Sequence, residues 1–387
     1  MIKLYTFCAV LFWGTFYSQT FIPAYQERVN FLSQENINTY LQEIEALGVK
    51  KTGSAANNNA RAWLKSKYLS FGYSEEQIVE DPFSFGSTSS KNLIVTKTGT
   101  KYPDTYVIIC GHYDSIVGPG VSDNGSGVAI ILELARILKD VPTDYSIRFI
   151  NFSGEEQGLY GSYHYVEDVV NATTPKMDIK LVFNIDQVGG KAGNDNSTIY
   201  CDKDQSRPNG NNSASEEITS QLAICTELYS PLKTAFDPAY ASDYVPFQEN
   251  GEVITGFYEY KRSYSEHTVQ DTYANIDTLY VYNVGKAALG AAQHFAVASS
   301  ENLSSLDTWI DQHQITFYPN PAKDILYVDF VNPKAEKFTV QLTDFSGKII
   351  LKEDNRREIN ISRLPSGVYL ATLRYGNNTV TRKIQIK

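Results

Sequence analysis

Two uninterrupted apolar runs, Val107-Ile108-Ile109-Cys110 and Leu181-Val182-Phe183, most constrain the fold. A strand apolar at every position must be covered on both faces, as happens when helices flank a parallel sheet. The surrounding pattern agrees. Strands are predicted at residues 92–96, 105–111, 146–152, 180–185 and 253–257, and helices at 33–47, 56–71, 127–139, 158–169, 215–229 and 276–298. The helix at 127–139 reads as strongly amphipathic and follows a Gly-rich turn. Strands alternating with helices of this size predict an α/β unit: a mainly parallel, mixed central sheet with helices on both faces. After residue 312 the helical spacing stops. Short alternating runs separated by turns such as Ser346-Gly347 and Pro365-Ser366-Gly367 predict a small C-terminal all-β sandwich.

The predicted organisation is a signal peptide at 1–19, a main unit at 20–300, a polar linker at 301–312 and the β unit at 313–387. Leu4 to Tyr17 is apolar after the basic Lys3, too short to span a bilayer and of signal-core length. No later segment is long and apolar enough for a membrane helix. Once the segment bearing Cys8 is removed, Cys110, Cys201 and Cys225 remain; Cys110 reads as a buried thiol, and Cys201 and Cys225 could form one disulfide. The net charge is −10 and no Lys/Arg-rich run occurs, so the footprint of a nucleic-acid binder is missing.

Polar residues recur where the predicted strands end. His112 and Asp114 follow the first run, Glu155 and Glu156 follow the strand ending at Phe152, and Asp186 closes the strand from Lys180. Ligands of open α/β sheets bind beyond the carboxyl ends of strands. Zinc takes imidazole nitrogen and carboxylate oxygen. His112 is a candidate ligand whose other ring nitrogen Asp114 could hold. Asp123, before Asn124-Gly125-Ser126-Gly127, is a candidate bridging carboxylate, with helix capping as its plain alternative. Of the Glu155-Glu156 pair, one carboxylate can bind metal while the other stays free as a general base. Asp186 is costly to bury unless paired or metal-bound. His267, in a loop before Asp271, completes the set; His164, His294 and His313 read as structural. His-Glu-x-x-His, Gly-x-Ser-x-Gly and phosphate-loop patterns are absent.

Taken in order, Gly111-His112-Tyr113-Asp114-Ser115, Ser122-Asp123-Asn124-Gly125-Ser126-Gly127, Ser153-Gly154-Glu155-Glu156, Asn184-Ile185-Asp186 and His267-Thr268-Val269-Gln270-Asp271-Thr272 resemble the secreted di-zinc aminopeptidases, the bacterial leucyl aminopeptidase and aminopeptidase Y group. Gln157 to Ser162 and Ser242-Asp243-Tyr244 with Pro246-Phe247 add to the resemblance, which covers about residues 30–300. It implies a zinc-exopeptidase fold and two Zn2+ ions. His112 and Asp186 would hold one, Glu156 and His267 the other, with Asp123 bridging, Asp114 orienting His112 and Glu155 as general acid/base. It further implies hydrolysis of the N-terminal bond of peptides with a free N-terminus, by water held between the ions. Asn124 stands where many relatives carry a second Asp, and Glu266 where some carry Tyr or an apolar residue, a change that bears on substrate preference.

The tail, with Phe317-Tyr318-Pro319-Asn320-Pro321, Leu364 to Tyr369 and the ending Lys383 to Lys387, resembles a type IX secretion sorting domain. That implies a partner in the export machinery and a secreted or cell-surface location in a Gram-negative bacterium. No nucleic-acid partner is expected, and a monomer is. Three alternatives stay open: a glutaminyl cyclase of the same fold using one zinc, a carboxypeptidase, and a non-catalytic exported binding protein.

Overall fold

Strands and helices alternate along the first 300 residues, as the apolar runs require. The structure, a computed structural model, describes residues 19–172, 174–300, 315–330, 337–344, 348–375 and 378–387. The predicted signal peptide (save Gln19), the linker at 301–312 and His313 lie outside the described residues. The chain divides after Ser300 into two compact units.

In the first unit, α1 (Pro23–Val29), α2 (Gln34–Ala46) and α3 (Ala55–Ser70) precede β1 (Ile78–Phe85), β2 (Thr88–Lys97) and β3 (Tyr102–His112). Then come α4 (Ser126–Leu138), β4 (Tyr145–Phe152), α5 (Tyr160–Tyr165), β5 (Asp178–Ile185) and β6 (Thr198–Lys203). α6 (Asn212–Tyr229), β7 (Lys233–Pro238), α7 (Val245–Glu249), β8 (Ile254–Glu259) and α8 (Thr278–Phe295) complete it. All eight strands form one sheet, in the order β1-β2-β4-β3-β5-β8-β6-β7. The central run β4-β3-β5-β8 is parallel, and antiparallel pairings join β2 to β4, β1 to β2 and β6 to β8. The expected mainly parallel, mixed sheet is therefore present.

Val107 to Cys110 and Leu181 to Phe183 are fully buried at the centre of this sheet. Each such side chain contributes about 1.5–3 kcal/mol relative to exposure. One expectation needs correction. The helix predicted as amphipathic, α4, is buried on every side. Its apparent polar face is Glu133 and Arg136, which pair with each other: Nε and Nη2 of Arg136 each donate at 2.7 Å to the Glu133 carboxylate, and Ser33 N and Asn36 Nδ2 donate to the same group. The helix predicted at 158–169 starts only at Tyr160, because Gly158 and Leu159 both have positive φ. Three strands of this unit went unpredicted. β1 and β7 are sheet edges that each carry a proline, and β6 is short and half polar. Cys201 and Cys225 form no disulfide; both are free and buried. Burial raises both thiols, Cys225 to about 12, so they stay neutral and inert.

In the second unit, β9 (Thr316–Tyr318), β10 (Ile325–Asp329), β11 (Phe338–Thr343), β12 (Ile349–Asp354), β13 (Glu358–Asn360), β14 (Gly367–Tyr375) and β15 (Asn378–Ile386) form two antiparallel sheets, β13-β10-β9 and β12-β11-β14-β15. Leu326 and Val328 from one sheet and Val340, Leu342 and Leu373 from the other share a single core. This is the all-β region the alternating runs predict.

Candidate metal centre

Four parallel strands end at the same edge of the main sheet, and each feeds one part of a polar cluster. β3 ends at His112, β4 leads into Glu155 and Glu156, β5 leads into Asp186, and β8 leads into the loop carrying His267. Asp123 arrives from the turn before α4. Two glycines shape these approaches. Gly154 adopts φ +80° and turns the chain so that the Glu pair follows at once. At Gly127 a Cβ would lie 2.1 Å from the Ile185 carbonyl oxygen, so no side chain fits where α4 meets β5. Asn124 fastens the same junction, donating Nδ2 to Ile185 O at 2.8 Å and accepting from Gly127 N at 3.0 Å. An ionised Asp there could not donate to the carbonyl, so the amide suits this chain. Capping of α4 thus falls to Asn124 and leaves Asp123 free.

The ligand atoms fall into two trios. His112, Asp123 and Asp186 form one, and Asp123, Glu156 and His267 the other; within each, the atoms lie inside 4.8 Å of one another. Nε2 of His112 is 3.1 Å from Asp123 Oδ1 and 3.4 Å from Asp186 Oδ1. Nε2 of His267 is 3.2 Å from Asp123 Oδ2 and 2.8 Å from Glu156 Oε2. Asp123 therefore offers one oxygen to each trio. Glu155 belongs to neither, its Oε2 standing 3.9 Å from His112 Nε2.

Asp114 acts differently from the sequence expectation. Its backbone carbonyl, at 3.2 Å, is what meets His112 Nδ1, while its carboxylate lies 3.7 Å away. The carboxylate instead accepts from Thr52 Oγ1 at 3.0 Å and from the backbone N–H groups of Glu155 and Glu156 at 3.4 Å. It grips the turn that presents the Glu pair. Other supporting residues went unnoticed in the sequence. Asp271 accepts from Ser122 N at 2.6 Å and Asp123 N at 3.0 Å. Ser242 donates to Asp186 Oδ2 at 2.6 Å and receives Asn184 Nδ2 at 2.8 Å, while Tyr240 O–H donates to the Asp186 carbonyl. Lys50 is buried below the cluster against the Pro119 carbonyl. Asp271, four residues after His267, Asn184 and Ser242 lie in stretches the motifs already mark, whereas Thr52, Tyr240 and Lys50 do not.

The electrostatics are those of a site that wants cations. Burial pushes Glu155 well above the usual carboxylate range, and Asp186 and Asp243 add to it against His112. Burial and then Asp123 lift Glu156 to about 8. His267 is raised to about 9, first by its bond to Asp123. Burial opposes charge on His112, yet Asp186, Glu155 and Asp123 carry it well above its ordinary value. Asp123 is held well below the carboxylate range; burial works the other way, but the bonds from His112 and His267 win. Protons on these groups thus do what bound cations would do. Imidazole and carboxylate donors in trios suit zinc rather than a thiolate-seeking or all-oxygen ion.

The cluster opens on a cavity of about 730 Å³. Against known proteins, a model of peptidase family M28 matches residues 92–292, and one of a secretion system C-terminal sorting domain matches residues 316–387. Aminopeptidase YwaD of Bacillus subtilis is 34% identical over 216 residues, covering 54% of this chain. The chain spans 41% of that relative's length. Among solved structures, LapA aminopeptidase of Legionella pneumophila superposes with a TM-score of 0.63 at 20% identity, covering 76% of this chain and 80% of its own. A glutaminyl cyclase of Fimbriiglobus ruber gives 0.55 at 19%, covering 68% and 95%. At these identities the two structures speak for the fold alone.

Proposed function

The chain belongs to peptidase family M28, and from that premise we propose that it is an exported zinc aminopeptidase removing the first residue of peptides with a free N-terminus. One observation carries the reading: Asp123 lies between two ligand trios, and Glu155 beside them is left out of both. His112, Asp123 and Asp186 would hold one zinc, and Asp123, Glu156 and His267 the other. Zinc so bound polarises a peptide carbonyl and lowers the pKa of water to near neutrality.

The protein's own groups do the rest. Glu155 removes a proton from the attacking water as the C–O bond forms, and delivers it to the amine as the C–N bond breaks. Asp114, through the backbone of Glu155 and Glu156, fixes where both carboxylates stand. Ser242 orients Asp186, and Asp271 orients Asp123. Carboxylates of the cavity pair with the substrate α-ammonium, which favours cleavage at the peptide's end. The match of residues 316–387 to a sorting domain supports export to the cell surface or beyond.

The test is zinc stoichiometry together with turnover of aminoacyl fluorogenic substrates, with and without chelator. Two zinc ions per chain, with activity lost to chelator and restored by zinc, are expected. One zinc and pyroglutamate from an N-terminal Gln peptide would instead establish the cyclase, whose fold is shared. Cleavage only of N-terminally blocked peptides would indicate a carboxypeptidase. No turnover after zinc is restored would leave a binding protein.

A further inference from the structure

Besides the ligand trios, the cavity is lined by Asp237, Glu266 and Arg262, and by Asp202, which is 1% exposed and accepts from Tyr244 O–H. Glu266 stands out. Its side chain is 8% exposed and Arg262 Nε donates to Oε1, but Oε2 is buried with no partner. A buried acceptor left without a donor is unfavourable, and an arriving cation removes that cost. Tyr240 and Tyr258, with ring centroids 4.6 Å apart, line the same cavity. Such rings accommodate the methylene stem of a long basic side chain while its charged end reaches a carboxylate.

We propose that this part of the cavity receives the side chain of a basic first residue, lysine or arginine, and that Glu266 is the partner of its cationic end. The inference rests on the aminopeptidase reading and deepens it. A neutral side chain of equal length leaves Oε2 unpaired, and an acidic one meets Asp237 and Glu266.

The experiment uses the full-length, zinc-loaded protein and compares kcat/KM for lysyl, arginyl, norleucyl and glutamyl fluorogenic substrates. Lysyl should exceed norleucyl by about tenfold or more, as expected where a built polar partner is left unmatched, with glutamyl lowest. Glu266→Gln should bring the lysyl-to-norleucyl ratio to within about threefold. Asp237→Asn should lower the ratio in the same direction and serves if the first variant does not fold. A norleucyl substrate equal to or better than lysyl with the unaltered protein overturns the proposal. So does equal loss on both substrates in Glu266→Gln, which would put the α-ammonium there instead. Calorimetry with lysine amide and norleucine amide decides the pocket whatever the turnover. Tighter lysine amide binding without hydrolysis would sink the aminopeptidase reading and keep the pocket; equal binding would sink the pocket.

Discussion

Replacing Asp271 with alanine should weaken both the fold and the metal centre, by an amount the structure allows to be worked out. Asp271 is 1% exposed and accepts from two backbone donors, Ser122 N at 2.6 Å and Asp123 N at 3.0 Å. Hydrogen bonds to a charged group are worth about 1.5–3 kcal/mol each. Losing both strands two buried N–H groups, for a total near 3–6 kcal/mol. In a unit of this size about 1 kcal/mol moves the melting temperature by roughly 2 °C, so the chelated protein should melt about 6–12 °C lower. Because the same bonds fix the backbone of Asp123, which serves both trios, zinc affinity should fall about tenfold or more. Lys50 responds as well. Burial lowers it to about 8, and Asp271 is the charge that most opposes this; removing that carboxylate lowers it further. Asp271→Asn keeps one acceptor and should fall between. The assays are thermal unfolding in chelator and zinc titration by calorimetry. A variant melting within about 1 °C of the parent, with zinc affinity within about twofold, would refute the clamp.

Three further outcomes follow. Glu155→Gln should retain both zinc ions by elemental analysis while turnover falls about 10²-fold or more; near-normal turnover would remove Glu155 from the chemistry. Zinc uptake should release protons at pH 6–7, because Glu156 near 8 and His267 near 9 must shed theirs to ligate, and the release should fade above pH 9. Calorimetry in buffers of different ionisation heat reads this directly, and pH-independent uptake would contradict it. His294, against Tyr229, is lowered by burial to about 4 from 6.5. Protonation therefore favours the unfolded chain, so stability tied to this residue is full above pH 6.5 and is lost as pH falls toward 4. Melting curves of His294→Gln should slope less over that window than those of the parent.

What the sequence reveals depends on whether a residue's role is written in its neighbours. The strands at Val107–Cys110 and Leu181–Phe183 are legible because full burial demands apolar residues at every position. α4 misleads because Glu133 and Arg136 are read as solvated when they satisfy each other inside. β1 and β7 hide because a proline in an edge strand resembles one in a loop. At the centre, the structure brings His112, Asp123, Glu155, Glu156, Asp186 and His267 together from strand ends that are themselves readable. The residues that hold them are harder to see. Asp271 reaches Ser122 across 149 positions, Ser242 reaches Asp186 across 56, and Thr52 reaches Asp114 across 62. No local pattern encodes such partnerships. The contact of His112 with a carbonyl rather than a carboxylate is likewise a matter of backbone path.

The two trios differ in how far they lie from solvent. The His112 side chain is 1% exposed and that of Asp186 4%, whereas that of His267 is 52% exposed on its loop. An ion on the His267 side would meet a competing chelator directly; its companion would sit behind it. Demetallation should therefore proceed in stages, the outer ion departing first and leaving a half-loaded protein. Such an intermediate would let the contribution of each ion to turnover be measured separately, without altering a single residue.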